Sequence, residues 1–262
     1  MKRLLLALSF VFLFSAPAAM TAQAAQDLVI GVTPFPHKDI MLVVKPLLEK
    51  DGYNLVIREF TDYVQPNMAL AEGNLFANFF QHVPYLDNMN KEKNLDLAWV
   101  AKVHIEPLGL YSQKIKSLDE LKADDLIAVP NDPTNEARAL RLLEVAGLIK
   151  LKEGELITVR DITDNPRGLE FKEIDAAQLP RTLQDVTAAV INTNFAGEAG
   201  LTPSKDAIVI EGGDSPYANV VVVRAADKDS PAAQALIKAC LSPEVKAFIE
   251  TELLPKGIVP AF

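Results

Sequence analysis

Short apolar runs and amphipathic stretches take turns along this chain, and their spacing predicts its elements. Leu28-Val29-Ile30-Gly31-Val32 is an apolar run closed by Thr33-Pro34-Phe35-Pro36, the pattern of a buried strand ending in a turn. Ile40, Val43, Val44, Leu47 and Leu48 then recur at helical spacing, giving an amphipathic helix that Asp51-Gly52 closes. Leu55 to Phe60 predicts a second strand, Pro66 to Glu72 a helix ended by Gly73, and Phe76 to Phe80 a third strand. A β-α-β-α-β order predicts parallel strands with helices on both faces.

The chain reads as extended from Leu97 to Ser112, interrupted by Pro107, and the alternation then restarts. Ser117-Leu118-Asp119-Glu120 predicts a short capped helix, Leu126 to Pro130 a buried strand, and Asn135 to Ala146 a helix stopped by Gly147. Thr182-Leu183-Gln184-Asp185 has the form of a capping box ahead of a strand over Ala188 to Ile191. Val220 to Val223 predicts the last strand, followed by helices around Pro231 to Leu241 and Pro243 to Leu254. Two copies of one α/β pattern predict two lobes, each a mainly parallel sheet flanked by helices. The crossings are expected near Ser112 and Tyr217, so that residues 25–112 and 217–262 form a discontinuous first lobe and residues 113–216 the second. Ligands of such folds sit in a cleft outside the carboxyl ends of the strands.

The N-terminus changes the picture. Lys2 and Arg3 precede an apolar run from Leu4 to Phe14, and small residues follow up to Ala22-Gln23-Ala24. That is the form of a cleavable export signal over residues 1–24, and the apolar run falls short of the roughly 20 residues a spanning helix needs. The chain has one cysteine, Cys240, so no internal disulfide is possible. Leu236, Ala239 and Cys240 share a helix face, where a thiol reads as buried filler. The formal net charge is −9, and no basic cluster interrupts it, which argues against nucleic acid as a partner.

Candidate chemistry collects where strands end. Phe80-Gln81-His82-Val83-Pro84-Tyr85-Leu86-Asp87 sets rings and amide or carboxylate groups around a proline. It is too polar for a core strand and too aromatic for a surface loop. The rings of Tyr63, Phe80, His82 and Tyr85 suit an apolar or thioether side chain, because sulfur packs well on aromatic edges. Pro130-Asn131-Asp132-Pro133-Thr134-Asn135 stands before a helix whose first turn carries Arg138. A helix N-terminus with a planar guanidinium suits a carboxylate, although an Asn cap and a solvated Arg give the same pattern. No acidic residue stands three or four places from Arg138 to pair with it. Asn192, Asn194 and Asn219 lie in turns beside strands, and their amides both donate and accept. His37, His82 and His104 lack metal-ligand spacing, and no hydrolase or nucleotide-loop motif is present, so neither metal nor cofactor is expected.

Taken together, these stretches resemble the methionine-binding substrate proteins of bacterial ABC importers, the NlpA family. The resemblance is carried by Tyr63-Val64-Gln65-Pro66-Asn67, the Phe80–Leu86 and Pro130–Asn135 stretches, Gln178-Leu179-Pro180-Arg181, Ala189-Val190-Ile191-Asn192, Gly200-Leu201-Thr202-Pro203 and Ser215-Pro216-Tyr217-Ala218-Asn219. It implies a type II-like, two-lobed periplasmic-binding-protein fold that closes on methionine and delivers it to a permease and its ATPase. It further implies that Tyr63, Phe80, His82 and Tyr85 line a side-chain pocket. Arg138 holds the ligand carboxylate with Asn135 nearby, and Asn192, Asn219 and Asn194 meet the head group. Members of the family are commonly lipoproteins, and the missing leader cysteine leads to the expectation of a monomeric periplasmic protein that is not lipidated. Glu136 and Phe79 are bulkier than the family pattern and are expected to reshape the pocket.

Within the transport reading, another amino acid or a methionine-containing dipeptide is the alternative ligand, and two other classes compete with a transport binding protein. One is a periplasmic enzyme acting on an amino acid or peptide, with His82 as general base and Asp87 as its only obvious carboxylate partner. The other is a sensing or surface-interaction protein on the same fold.

Overall fold

The computed structural model describes residues 25–212 and 215–262. The expected export signal lies outside the described residues.

The first half alternates as its hydrophobic pattern requires: β1 (Gln26–Val32), α1 (Asp39–Lys50), β2 (Tyr53–Glu59), α2 (Gln65–Ala71), β3 (Ala77–His82), α3 (Val83–Lys93), β4 (Leu97–Ile105) and β5 (Gly109–Tyr111). Next come β6 (Leu126–Pro130), α4 (Pro133–Val145), β7 (Lys150–Leu151), β8 (Ile162–Asp164), β9 (Glu170–Ile174), α5 (Leu179–Thr182), β10 (Ala188–Ile191) and α6 (Thr193–Glu198). The chain ends with α7 (Pro203–Asp206), β11 (Ala207–Ile210), β12 (Ala218–Arg224), α8 (Pro231–Cys240), α9 (Pro243–Phe248) and β13 (Val259–Pro260).

These strands form two main sheets, one ordered β13-β4-β12-β3-β1-β2 and the other β11-β5-β10-β6-β9. In the first, β1 runs parallel to both β2 and β3, as the β-α-β-α-β pattern predicts. The returning strand β12 then joins antiparallel to β3 and β4. In the second, β6 is parallel to β9 and β10, and β5 is antiparallel to β10 and β11. Each lobe therefore keeps a parallel core and gains antiparallel strands from chain segments that cross between lobes. The extended stretch from Leu97 to Ser112 is divided: β4 stays in the first sheet, β5 belongs to the second, and the change falls at residues 106–108.

Burial explains the valine run. Val221 and Val223 pack with α1, α8 and α9, while Val220 and Val222 face Leu70, Leu75 and Leu86 on the other side. A strand covered on both faces carries apolar residues at every position instead of alternating them. Cys240 is fully buried in the first of these clusters, as its helix-face position predicts. Among the described residues no helix is long and apolar enough to cross a membrane.

Three local expectations are corrected. Asp132, not Asn135, caps α4, accepting the Asn135 backbone N–H at 2.9 Å. Thr182 ends a short helix and donates to Leu179 O at 2.7 Å, so the capping-box pattern caps nothing. The segment after His82 is a helix that sequence periodicity missed, because its exposed face is charged and its apolar face holds few residues.

Candidate functional site

The two sheets meet across a small, nearly closed cavity. It is lined by Tyr63, Phe80, Gln81, His82, Tyr85, Glu106, Asn135, Arg138, Asn192, Thr193, Asn194 and Asn219. The structure thus gathers every residue singled out above as a ligand contact, from segments as distant as Tyr63 and Asn219. Phe79 and Glu136 do not line it. Phe79 points into the first lobe's core, and Glu136 turns away to accept the Val159 N–H at 2.9 Å.

One wall is aromatic. Phe80, near the end of β3, faces the cavity, with its ring 5.9 Å from Tyr63 and 6.1 Å from Tyr85 between centroids. Tyr85 is held by donating to Tyr63 O at 2.9 Å. Tyr63 reaches across to the second lobe, where its hydroxyl donates to Asn194 Oδ1 at 2.5 Å and its ring packs on Phe195. Behind this wall, Gln81 is locked in an amide cluster with Asn67 and Asn78. Across the lobes, Gly197 of α6 lies so close to Phe35 that a Cβ would come within 2.4 Å of the ring.

His82 joins the walls. It caps α3 by accepting the Tyr85 N–H on Nδ1 at 3.1 Å, so Nε2 carries the proton and donates to Asn135 Oδ1 at 3.2 Å. Burial, reinforced by the charge of Arg138, pushes its pKa down to about 3, and the ring is neutral at physiological pH. Asn135 Oδ1 also accepts from Asn192 Nδ2 at 2.9 Å, while its own Nδ2 donates to the Asp132 carboxylate at 3.0 Å.

The second wall is polar and charged. Arg138 is buried on α4 but not free, as sequence spacing had left it. Glu211, from the segment returning to the first lobe, takes its Nε at 3.0 Å and also accepts from Nη2. Nη2 donates as well to Glu106 O at 2.7 Å, and the Tyr217 ring lies 4.3 Å from the guanidinium carbon. The pairing is invisible to helix spacing because Glu211 is distant in sequence.

Glu106 was missed altogether. It sits in the crossing between β4 and β5, buried, with its carboxylate 2.8 Å from His104 Nε2 and 3.3 Å from His37 Nε2. Burial raises its pKa, and the neighbouring His37, Arg138 and the Asn194 backbone N–H hold it down. The only sequence signal was a lone acid before a proline between apolar runs. His37 and His104, far apart in sequence, have ring centroids 5.0 Å apart. On the same side, Asn219 pairs in register with His82 on β3 and His104 on β4.

Among the described residues, two polar atoms of the lining are buried without a protein partner: Asn192 Oδ1 and Asn194 Nδ2. Buried polar groups are otherwise almost always satisfied, so an unused acceptor and an unused donor in one lining mark a place for a polar ligand. The cavity can therefore receive an apolar tail at one end and a group with both charges at the other.

Comparison with known proteins agrees with this geometry. Residues 28–262 match the family model described as NlpA lipoprotein. The chain is 49% identical over 201 residues to the D-methionine-binding lipoprotein MetQ of Salmonella typhi, covering 75% of this chain and 74% of that protein. A nutrient binding protein from Burkholderia cenocepacia, solved bound to methionine, superposes with a TM-score of 0.87 at 48% identity, covering 90% of this chain and 100% of that one. An ABC transporter periplasmic substrate-binding protein from Coxiella burnetii superposes with a TM-score of 0.85 at 46% identity, covering 89% and 100%.

These findings correct one expectation. A protein that is not lipidated was inferred from the lack of a leader cysteine, but the matching family and the Salmonella relative are lipoproteins by name.

Proposed function

The chain belongs to the NlpA lipoprotein family, and from that premise we propose that it captures free methionine between its lobes and presents it to an ABC importer. The observation that carries this reading is a cavity in which an aromatic wall faces a charged one. In it the thioether lies among Tyr63, Phe80 and Tyr85, where sulfur–ring contacts contribute roughly 0.3–1.5 kcal/mol each. The carboxylate is held by Arg138 with the Asn194 and Asn219 amides, and the ammonium by Glu106 and Asn192 Oδ1. His82 and Asn135 complete the frame between the two ends.

Binding then drives closure, because a ligand held from both lobes favours the state in which they approach. The lobes are the two sheets with their helices, close to a division into residues 25–112 with 217–262 and residues 113–216. They move about the segments that cross between them, one of which, at residues 106–108, carries Glu106 into the cavity, while Glu211, after β11, pairs with Arg138.

A binding protein is favoured over an enzyme by the state of His82. A general base needs a free lone pair, and the His82 Nδ1 lone pair already accepts the Tyr85 N–H. Asp87, its expected partner, lines an outer groove and not the cavity.

Calorimetric titration of methionine into protein unfolded, dialysed and refolded tests the proposal, since a closed binding protein retains its ligand through purification. Saturable binding of L- or D-methionine at a dissociation constant of about 1 μM or tighter, with methionine recovered unchanged, is the expected result. Absence of heat with both enantiomers, or a new product, overturns it.

A further inference from the structure

Resting on that reading, we propose that His37 and His104 are positioning residues that build the ammonium receptor, and through it make the cavity selective for ligands with a free α-ammonium. Neither ring lines the cavity. His37 is 1% and His104 0% exposed, so any effect on the ligand passes through the groups they hold.

The hydrogen bonds assign the protons. Thr33 Oγ1 lies 2.7 Å from His37 Nδ1, and when that hydroxyl donates, Nε2 carries the hydrogen. The same Nε2 lies 3.1 Å from Asn219 Oδ1 and 3.3 Å from the Glu106 carboxylate, both acceptors. His104 Nε2 donates to Glu106 at 2.8 Å, and its Nδ1 is buried without a partner among the described residues. An unprotonated Nδ1 is the less costly state of that orphan, which agrees with a proton on Nε2. With Oδ1 of Asn219 taken by His37, the amide has its Nδ2 donor left for a ligand.

Both rings are packed against one aromatic side chain. Phe79 meets both edge to face, at 4.7 Å from His37 and 5.3 Å from His104 between centroids. The bulk expected to reshape the pocket instead clamps the pair beneath it.

The charge balance explains why histidine is used. A buried carboxylate is stabilised in its ionised form by hydrogen-bond donors. Two lysines would do so by cancelling its charge, and would repel an arriving ammonium. Burial keeps both histidines neutral, with pKa values of about 4 and 3, so they donate N–H groups and leave the negative charge to the ligand. A ligand with a hydroxyl or an acylated nitrogen in place of the ammonium leaves that charge unanswered in a closed cavity, which is costly.

The test is titration of refolded parent, His37→Ala, His104→Ala and His104→Gln with methionine and with its 2-hydroxy analogue. The parent should prefer methionine by at least a hundredfold. His104→Ala should lose tenfold or more for methionine and less than threefold for the hydroxy analogue, His37→Ala, which also frees Asn219, should weaken both but methionine more, and His104→Gln, which keeps a donor, should recover part of the loss. Thr33→Val, which removes only the hydroxyl that orders His37, should show the same selectivity change at smaller size and covers the case in which an alanine variant does not fold. Equal losses for both ligands, or an unchanged ratio in every folded variant, overturn the proposal. So does methionine binding that a chelator abolishes and zinc restores, which would make the cluster a metal site. A parent that binds neither ligand contradicts the functional reading itself, and is thereby distinguished from failure of this inference.

Discussion

The two walls of the cavity are built by different means. The aromatic wall comes from one stretch of chain, Tyr63 to Tyr85, and is held by ring packing with a few hydrogen bonds. The polar wall gathers Glu106, Arg138, Asn192, Asn194 and Asn219 from separate segments, and each is held by a partner from another part of the fold. Packing is non-directional and degrades gradually when a side chain is trimmed. A buried hydrogen-bonded network degrades abruptly, because every removal strands a partner. The polar wall should therefore dominate the energetics of binding, and the aromatic wall should set which side chain is accepted.

Arg138→Ala should give the largest effect. It removes the ligand's cationic partner and strands Glu211, so methionine affinity should fall by about 3 kcal/mol, a hundredfold or more, in calorimetry of refolded protein. A loss under fivefold would break the contrast between the walls.

Phe80→Ala should follow, at about 2 kcal/mol for methionine. The comparison is sharpened by norleucine, which has no sulfur: Phe80→Leu should narrow the preference for methionine over norleucine, whereas Asn192→Ala should weaken both alike. Competition titrations with the two amino acids measure this directly.

His82 gives a prediction about stability. The unfolded chain takes up a proton as pH falls below 6.5, while folded His82 does not until about 3, so the folded state loses stability across that window. His82→Gln removes this contribution. Between pH 7 and 5 the parent should lose about 2 kcal/mol more than the variant in urea unfolding. Parallel pH profiles would contradict the neutral, hydrogen-bonded histidine.

Tyr63→Phe should have the smallest effect, about 1 kcal/mol, since it removes one hydroxyl and keeps the ring. Because that hydroxyl crosses between lobes, the loss should appear as faster ligand release in stopped-flow fluorescence, with the association rate nearly unchanged. A change confined to association would place the hydroxyl outside the closed state.

Legibility in sequence follows the same division. Periodicity located the strands and helices of the first lobe well, because their faces are fully covered and their apolar positions follow the elements' own repeat. It missed α3, whose apolar face is sparse, and the edge strands β9 and β11, whose half-exposed residues carry little pattern. The ring wall was readable from composition, since aromatic residues cluster locally around Pro84. Arg138 and the asparagines stood out by position at strand and helix ends. Their partners did not. Glu106, Glu211, His37 and His104 act through contacts that exist only once the two sheets have assembled, and, the acid before Pro107 aside, nothing local distinguishes them from ordinary polar residues.

The orientation of the ligand is the point on which everything else turns, and selenomethionine reads it directly. Refolded protein crystallised with selenomethionine as ligand should show one strong anomalous peak inside the cavity, among the rings of Tyr63, Phe80 and Tyr85, with the head group toward Arg138 and Glu106. A selenium peak at the Arg138 end, outside the cavity, or absent at saturating ligand would contradict the assignment of the two walls.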